Sequence, residues 1–251
     1  MPEDHFGEEV AGHYDADLDE MFSDAVLEPA VSFLAELAGS GPVLEFGIGT
    51  GRVALPLAAR GVLVAGVDLS EAMVRRLRVK PGGQQLDVVI GDFATVRVEG
   101  RFSLVYLVFN TINNLTTQDE QVACFQNAAA HLAPAGLFVI EVSVPQLQRL
   151  APGERTYVFD RSESHAGIDE LDLVTQAMIS HHYTRRGDGS FEYTSGPFRY
   201  VWPSELDLMA RLAGLQFCER WADWGRQPFT AESPSHVSVW QKPAGPANGL
   251  T

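Results

Sequence analysis

A glycine-rich segment near residue 50 constrains the fold of this chain more than any other part of its sequence. Gly47, Gly49 and Gly51 follow the short apolar run Pro42–Phe46 and precede a segment with helical spacing of apolar residues. A glycine turn between a strand and a helix lies at the carboxyl edge of a doubly wound α/β sheet, where such folds bind their ligands. The segment therefore predicts both a type of sheet and the place of a ligand site.

The pattern on either side of the glycine segment predicts a parallel sheet. Short apolar runs alternate with segments of helical periodicity up to about residue 145. Parallel strands need crossover connections, so this alternation indicates an α/β fold with helices on both faces of the sheet. Thr117 and Glu120 form a predicted capping box for one helix. Helices are expected at 19–38, 53–60, 71–79, 117–132 and 203–212.

Beyond Pro145 the sequence changes character and predicts an antiparallel insertion. Runs rich in aromatic and β-branched residues occur here, and a turn signal lies at 186–189. We expect strands at 157–159, 171–182, 191–194 and 198–202. The chain then divides into an N-terminal helical entry segment (1–40), an α/β core (41–145), an antiparallel lid (146–202), a helix with closing strands (203–243) and a flexible tail (244–251).

Composition excludes several classes of function. The chain has 33 acidic residues against 18 lysines and arginines, a net charge of −15, which disfavours nucleic acid as a partner. The two cysteines indicate neither a disulfide framework nor a zinc site, so no metal is expected. The first residues do not resemble a signal peptide, and no apolar run approaches the roughly 20 residues of a membrane span. We expect a cytoplasmic protein without membrane contact.

The spacing of the glycines argues against a dinucleotide site. The dinucleotide fingerprint is G-x-G-x-x-G, whereas Arg52 stands at its sixth position here. Glu45, at the end of the first strand, would repel a pyrophosphate but can accept hydrogen bonds from an ammonium group. Asp68 ends the second predicted strand, where it can accept hydrogen bonds from ribose hydroxyls. These residues favour a ligand with an ammonium group and a ribose but no phosphate.

The run from Val43 to Arg52 resembles motif I of class I S-adenosylmethionine-dependent methyltransferases. Asp68 resembles the acidic residue of the family's second motif, and Ile90-Gly91-Asp92-Phe93 resembles its adenine-side motif. The resemblance implies a Rossmann-like fold with a mostly parallel seven-stranded sheet, S-adenosylmethionine as cofactor and S-adenosylhomocysteine as product. It also implies that Asp92 meets the adenine amino group and that the neighbouring residue packs on the adenine ring. The expected cofactor-binding residues are Tyr14, Glu45, Gly47, Gly49, Gly51, Arg52, Asp68, Leu69, Met73, Asp92, Phe93, Phe109 and Asn110.

Polar residues follow the fourth predicted strand, where chemistry would face the methyl group. This stretch, which begins at Phe109 and Asn110, resembles that of bacterial small-molecule methyltransferases, including those that methylate amino sugars. The Asn-Pro-Pro-Tyr signature of enzymes that methylate amino-purines is missing. The resemblance places Tyr14 over the methionyl part of the cofactor. Arg52 either neutralises the cofactor carboxylate or lies on the surface, and Met73 either reaches the adenine or belongs to the core.

The sequence constrains the methyl acceptor less than it constrains the methyl donor. Methyl transfer from a sulfonium depends mainly on positioning and exclusion of water, so an amine acceptor needs no dedicated base, whereas a hydroxyl acceptor does. Of two consecutive strand residues only one can face a chamber, and we favour His182 over His181 as the base, against the alternative of a solvated histidine. The expected substrate residues are Asn114, His165, Tyr183, Tyr200 and Trp202.

The sequence therefore predicts an N- or O-methyltransferase for a small metabolite, of the kind found in secondary metabolism. Two alternatives stay open: an S-adenosylmethionine-binding protein without turnover, and an NAD-dependent reductase. The sequence also leaves open whether two copies form a homodimer.

Overall fold

The computed structural model describes residues 5–17, 21 and 23–245. Residues 246–251 of the predicted tail lie outside this range, as do residues 19, 20 and 22 of the predicted helix 19–38. Within the described residues the strands are β1 (Val43–Phe46), β2 (Val64–Asp68), β3 (Asp87–Ile90), β4 (Phe102–Leu107), β5 (Leu132–Ser143), β6 (Thr156–Arg161), β7 (His165–Leu171), β8 (Ala177–Arg185), β9 (Phe191–Arg199), β10 (Gln216–Trp221) and β11 (Ser235–Gln241).

Seven of these strands form the predicted mostly parallel sheet. Their order is β10-β11-β5-β4-β1-β2-β3. The pairs among β1 to β5 are parallel, and β11 pairs antiparallel with both β5 and β10. The carboxyl ends of β1, β2, β4 and β5 therefore lie along one edge, which brings the glycine segment, Asp68 and the residues after β4 together.

Six α-helices flank the strands in the described part of the chain: α1 (Glu8–Asp17), α2 (Asp24–Ala38), α3 (Ala54–Ala59), α4 (Glu71–Val79), α5 (Gln118–His131) and α6 (Pro203–Leu212). α4 and α6 have the predicted bounds. The capping box of α5 is confirmed, because the Glu120 N–H donates to the Thr117 hydroxyl and the Glu120 carboxylate accepts from the Thr117 N–H. No helix of the described residues is long and apolar enough to cross a bilayer.

The sheet buries an apolar layer on each face. On one face Phe125, Phe138 and Trp240 are fully buried and meet edge to face or tilted, with ring centroids 5.0–6.1 Å apart. On the other face α2 packs through Leu34 near Val43 and Leu104. Full burial of such a side chain stabilises the fold by about 1.5–3 kcal/mol. These layers hold the carboxyl edge of the sheet in place.

The insertion is a separate four-stranded antiparallel sheet, β6-β7-β8-β9, which we call the lid. The single strand predicted at 171–182 is wrong. Asp172 accepts hydrogen bonds from the Val174 N–H and the Thr175 hydroxyl, and the turn that they form separates β7 from β8. The strand predicted at 191–194 and the start of the one predicted at 198–202 lie in one strand, β9, because Pro197 is tolerated on an edge strand. Residues 200–202 are not part of a strand.

The two faces of the lid have different environments. Its inner face carries buried residues at the centre, namely Gly167, Asp169, Leu171 and Ser180. Its outer face is exposed and carries Val158, Ile179, Tyr183, Phe191 and Tyr193. β9 also contacts the short helix at 111–114, which follows β4. The inner face is thus the more covered face of the lid sheet.

A buried ion pair fastens the lid to the core. Arg199 of β9 donates to Glu205 of α6 and to the side-chain oxygen of Gln121 of α5, at 2.7 and 2.5 Å. The Arg199 residue is only 4% exposed. Glu205 also accepts from Gln118 and Gln176. Lid, α5 and α6 therefore share one hydrogen-bonded network.

Candidate active site

The glycine loop has a geometry that other residues adopt only with strain. Gly47, Gly49 and Gly51 have φ angles of +71°, +55° and +83°. The N–H groups of Gly47 and Ile48 both donate to the Val67 carbonyl of β2, at 2.8 and 3.0 Å. A Cβ on Gly47 would lie 2.5 Å from the Thr111 Cγ2 atom. The loop is therefore fixed against both β2 and the segment that follows β4.

Glu45 is a buried carboxyl beneath this loop. It is 2% exposed, and the Tyr106 hydroxyl donates to its Oε2 at 2.9 Å. Burial raises the pKa of Glu45 from 4.5 to about 8, while the hydrogen bond from Tyr106 and the charge of Arg52 lower it. Between these two pKa values the folded protein holds a proton on Glu45 that the unfolded protein does not. The free energy of unfolding that this group contributes is therefore lost as the pH rises from 4.5 to about 8. A cation placed beside Glu45 would remove this penalty.

Asp68 joins the glycine loop to the start of α4. Its Oδ2 accepts from the Gly49 N–H at 2.6 Å, and its Oδ1 accepts from the Ser70 N–H at 2.8 Å. Each carboxylate oxygen can accept a further hydrogen bond. Asp68 thus shapes the loop as well as offering acceptors at the sheet edge. The neighbouring Leu69 is half-buried.

Helix α1 lies across the loop and brings Tyr14 to it. Burial raises the pKa of the Tyr14 hydroxyl. The charge of Arg52 lowers this pKa, and the charges of Asp68, Asp15 and Glu45 raise it. Tyr14 therefore lies close to the charged groups of the site. The structure places Tyr14 and Arg52 here, as the sequence predicts.

One further side chain of this region, that of Asp15, was not identified from the sequence. Asp15 accepts from the Thr50 hydroxyl at 2.6 Å and forms an ion pair with Lys80 at 2.5 Å. No local sequence pattern signals this contact. Met73 is 4% exposed, packs with Ala11, and its Cε lies 3.6 Å from the position of a Cβ on Gly49. Met73 therefore belongs to the packing of α1 and also lies next to the loop.

The segment after β4 is held in a strained conformation. Phe109 and Asn110 have φ angles of +57° and +60°, which cost about 1–3 kcal/mol each in residues other than glycine. The Phe109 N–H donates to the Glu141 carboxylate at 2.9 Å, and the Asn110 side-chain oxygen accepts from the Ser143 N–H at 2.7 Å. The Arg52 guanidinium lies 4.6 Å from the centre of the Phe109 ring. Such strain is characteristic of functional sites.

Asn113 is a further candidate that the sequence analysis did not select. It is 7% exposed, and its side-chain oxygen has no hydrogen-bond partner among the described residues. Buried polar atoms without a partner are rare and costly. Asn114, which was selected, is half-buried beside it.

The two residues expected to contact adenine, Asp92 and Phe93, have different environments. Asp92 accepts from the Ala94 N–H at 2.8 Å and so stabilises the turn after β3. The Phe93 ring is 7% exposed and packs on Phe46 in the core, with centroids 5.9 Å apart. The expectation that Phe93 packs on the adenine ring is therefore not met, because its side chain points into the apolar layer under the sheet.

A large groove elsewhere does not compete with this site. A groove of about 690 Å³ is lined by residues at the start of β2, β3 and β4, among them Val64, Asp87 and Phe102. It lies at the amino edge of the sheet, opposite the glycine loop. Ligands of doubly wound folds bind at the carboxyl edge, so we place the active site there.

Comparison with known proteins identifies the family of this chain. A family model described as a methyltransferase domain matches residues 43–136. The solved structure of the CcbJ methyltransferase from Streptomyces caelestis is 40% identical, covers 92% of this chain and 96% of its own, and superposes with a TM-score of 0.80. The chain belongs to the class I S-adenosylmethionine-dependent methyltransferase family.

Other relatives of the methyltransferase are more distant. A putative methyltransferase from Geobacillus sp. (strain WCH70) is 32% identical over 80% of this chain and 82% of its own length. The cypemycin N-terminal methyltransferase of Streptomyces sp. is 27% identical over 87% of this chain and 92% of its own length. CalS10, an amino pentose methyltransferase from Micromonospora echinaspora, shares the fold at 22% identity, with 91% of this chain and 96% of its own covered and a TM-score of 0.67.

The lid of the methyltransferase carries the remaining selected residues. His165 and His182 face each other on the inner face, with His165 Nε2 3.0 Å from His182 Nδ1. Tyr183 is not brought to the site, because the alternation of strand residues places it on the outer face, 38% exposed and against Tyr193. His181 lies on the same outer face, with its Nδ1 2.8 Å from the Tyr193 hydroxyl.

The two aromatic residues at the end of the lid have different environments. Tyr200 is buried, 5% exposed, and its hydroxyl lies 3.4 Å from the Asp172 carbonyl within the lid. Trp202 is half-buried and directly precedes α6. Of the predicted substrate residues, the structure thus brings together His165 and the predicted base His182, and it separates Tyr183 from them.

Proposed function

We propose that the protein binds S-adenosylmethionine across the glycine loop and methylates an amine of a small molecule. The buried carboxyl of Glu45 carries this proposal, since a carboxyl whose pKa is raised by burial at this place suits the ammonium group of the cofactor's methionyl part. Asp68 would accept from the ribose hydroxyls, and Tyr14 and Arg52 would flank the methionyl part. When bound, the cofactor supplies a methyl group activated by its sulfonium.

An amine acceptor is favoured over a hydroxyl by the relatives and by charge. The relatives include the cypemycin N-terminal methyltransferase, and CalS10 is an amino pentose methyltransferase involved in calicheamicin biosynthesis. The net charge of −15 favours approach of cationic molecules such as protonated amines. We therefore propose a small amine of secondary metabolism as the acceptor.

Cofactor binding should release a proton from Glu45. Because burial raises its pKa to about 8, Glu45 is largely protonated at pH 6.5 in the protein without cofactor, and an adjacent ammonium group would lower the pKa. Calorimetric titration with S-adenosylmethionine at pH 6.5, in buffers of different ionisation enthalpy, should show release of close to one proton. Glu45→Gln should bind more weakly and release almost none. Equal proton release by both proteins would remove Glu45 from the cofactor site.

Asp68→Asn should weaken S-adenosylmethionine binding by about tenfold or more, because the amide cannot accept every hydrogen bond that the carboxylate accepts, at a cost of about 1–3 kcal/mol. The dissociation constant is measured by calorimetry. Asp87→Asn is the matched control, since Asp87 is exposed at the start of β3, away from the loop. Equal affinities of the two variants would contradict the assignment of Asp68.

The acceptor class is tested by turnover. Purified protein with S-adenosylmethionine is offered matched panels of small amines and hydroxyl compounds, and methylated products are measured by mass spectrometry. Methylation of amines alone is the expected result. Methylation of hydroxyl compounds alone would make the protein an O-methyltransferase, and cofactor binding without any product would favour a binding protein without turnover.

A further inference from the structure

A chain of polar side chains crosses the inner face of the lid. Asp160 Oδ2 lies 2.6 Å from His165 Nδ1, and His165 Nε2 lies 3.0 Å from His182 Nδ1. His182 Nε2 in turn lies 3.2 Å from the Ser180 hydroxyl. The four groups belong to three neighbouring strands, β6, β7 and β8. They form one continuous path from the lid surface, where the Asp160 side chain is 42% exposed, to buried Ser180.

The partners along this chain determine which ring nitrogens carry protons. The hydrogen bond with His165 lowers the pKa of Asp160, so its carboxylate can only accept, and His165 must carry its proton on Nδ1. When the Nε2 atom of His165 carries no proton it is an acceptor, and His182 then donates from Nδ1. His182 Nε2 is left without a proton and accepts from Ser180. Asp160 and His165 therefore act as positioning residues for a basic nitrogen on His182.

Asp169 lies next to the end of this chain and has an unused acceptor. It is 7% exposed, and the Tyr157 hydroxyl donates to its Oδ2 at 2.9 Å. Its Oδ1 has no hydrogen-bond partner among the described residues. A buried carboxyl oxygen without a donor is costly. Burial raises the pKa of the Asp169 carboxyl, while the neighbouring Ser180 and Tyr157 hydroxyls and the charge of His182 lower it, so this carboxyl lies at the basic end of the chain of side chains.

We propose that the inner face of the lid binds the acceptor as an ammonium ion at Asp169 and removes its proton through Ser180 to His182. This inference rests on the proposed amine acceptor and adds a binding carboxylate and a base to it. The Ser180 oxygen takes a proton from the ammonium nitrogen while its own proton passes to His182 Nε2. The nitrogen lone pair freed in this way forms the bond to the methyl carbon as the carbon–sulfur bond breaks and its electron pair stays on sulfur.

The charges around His182 suit this role. Burial lowers its pKa, the charge of His165 lowers it further and that of Asp169 raises it, with His181 on the opposite face adding a small lowering effect. The Phe159 ring packs against His182 with centroids 5.6 Å apart and supplies no charge. His182 is therefore neutral near pH 7 and able to take up a proton. It returns that proton to solvent after the product leaves.

The tautomers can be observed without any acceptor. In protein labelled with ¹⁵N histidine, long-range ¹H–¹⁵N spectra should show His182 with its proton on Nδ1, although free histidine prefers Nε2. Asp160→Asn should return His182 toward the Nε2–H tautomer, because an amide can donate to His165 Nδ1. Asp188→Asn is the control: it removes one exposed lid carboxylate from the turn between β8 and β9 and should change neither ring. An Nε2–H tautomer of His182 in the unaltered protein would overturn the proposal.

Turnover separates the roles of the residues. With an amine that the protein methylates, His182→Gln should lower kcat about 100-fold or more and Asp160→Asn about 10- to 100-fold. Asp169→Asn should raise the acceptor KM more than it lowers kcat, and Asp188→Asn should stay within about twofold of the unaltered enzyme. An unchanged kcat in His182→Gln would overturn the proposal. If no amine is methylated at all, the proposed function fails. The spectra still decide whether the hydrogen-bonded side chains from Asp160 to Ser180 are arranged as proposed.

Discussion

Gly47→Ala should weaken S-adenosylmethionine binding by about 10- to 100-fold and lower the free energy of unfolding by about 2–5 kcal/mol. The backbone of Gly47 has a φ of +71°, and a Cβ there would lie 2.5 Å from Thr111 Cγ2. Either the glycine loop or the segment after β4 must then move. Affinity is measured by calorimetry and stability by urea unfolding.

Two further variants separate the steric clash from backbone strain. Gly61 has a φ of +85° and nothing within 4 Å of an added Cβ, so Gly61→Ala should cost only about 1–2 kcal/mol and leave cofactor affinity unchanged. Thr111→Ser removes the clashing methyl group but can keep the hydrogen bond to the Val108 carbonyl. The double variant Gly47→Ala, Thr111→Ser should recover part of both losses. Equal losses in Gly47→Ala and Gly61→Ala would show that the contact with Thr111 is unimportant.

Arg199→Met should lower the free energy of unfolding by about 3–5 kcal/mol, which is the usual cost of removing one partner of a buried ion pair. Methionine fills much of the same volume, but it leaves Glu205 without its cation and the Gln121 side-chain oxygen without the guanidinium donor. Urea unfolding followed by circular dichroism measures the change.

The matched control for Arg199→Met lies on the helix that the ion pair fastens. Arg211 is exposed on α6, and Arg211→Met should change stability by less than about 0.5 kcal/mol. Adding Glu205→Gln to Arg199→Met should recover part of the loss, since it removes the unpaired charge. A loss below 1 kcal/mol for Arg199→Met would mean that solvent reaches Glu205 and that the pair does not fasten the lid.

Local signals in the sequence predicted a large part of the fold. The bounds of α4 and α6 were predicted correctly because apolar spacing and flanking residues determine where a helix lies. The capping box at Thr117 is a contact over three residues, which a sequence shows directly. The glycine spacing, with Glu45 and Asp68, placed the expected cofactor site at the carboxyl edge of the sheet, because parallel strands all end there, and the structure brings these residues together at that edge.

What the sequence did not predict depends on pairing between distant segments. The strand expected at 171–182 contains a turn formed by Asp172, and only the pairing of β7 with β8 shows where it lies. Alternation shows that His182 and Tyr183 face opposite sides, but not which side is covered. The Asp15–Thr50 contact joins residues 35 positions apart, and no local pattern signals it.

Helix α1 has a consequence for how fast the enzyme can work. Each catalytic cycle must admit a fresh methyl donor and release the demethylated product from the space among Glu45, Asp68 and Tyr14. Loosening of α1 from the glycine loop, where Asp15 holds both Thr50 and Lys80, would open this space. The side chains of Lys80 and Asp15 are 24% and 40% exposed, so dissolved salt weakens their attraction. Higher ionic strength should therefore shorten the dwell time of the nucleoside product in this space.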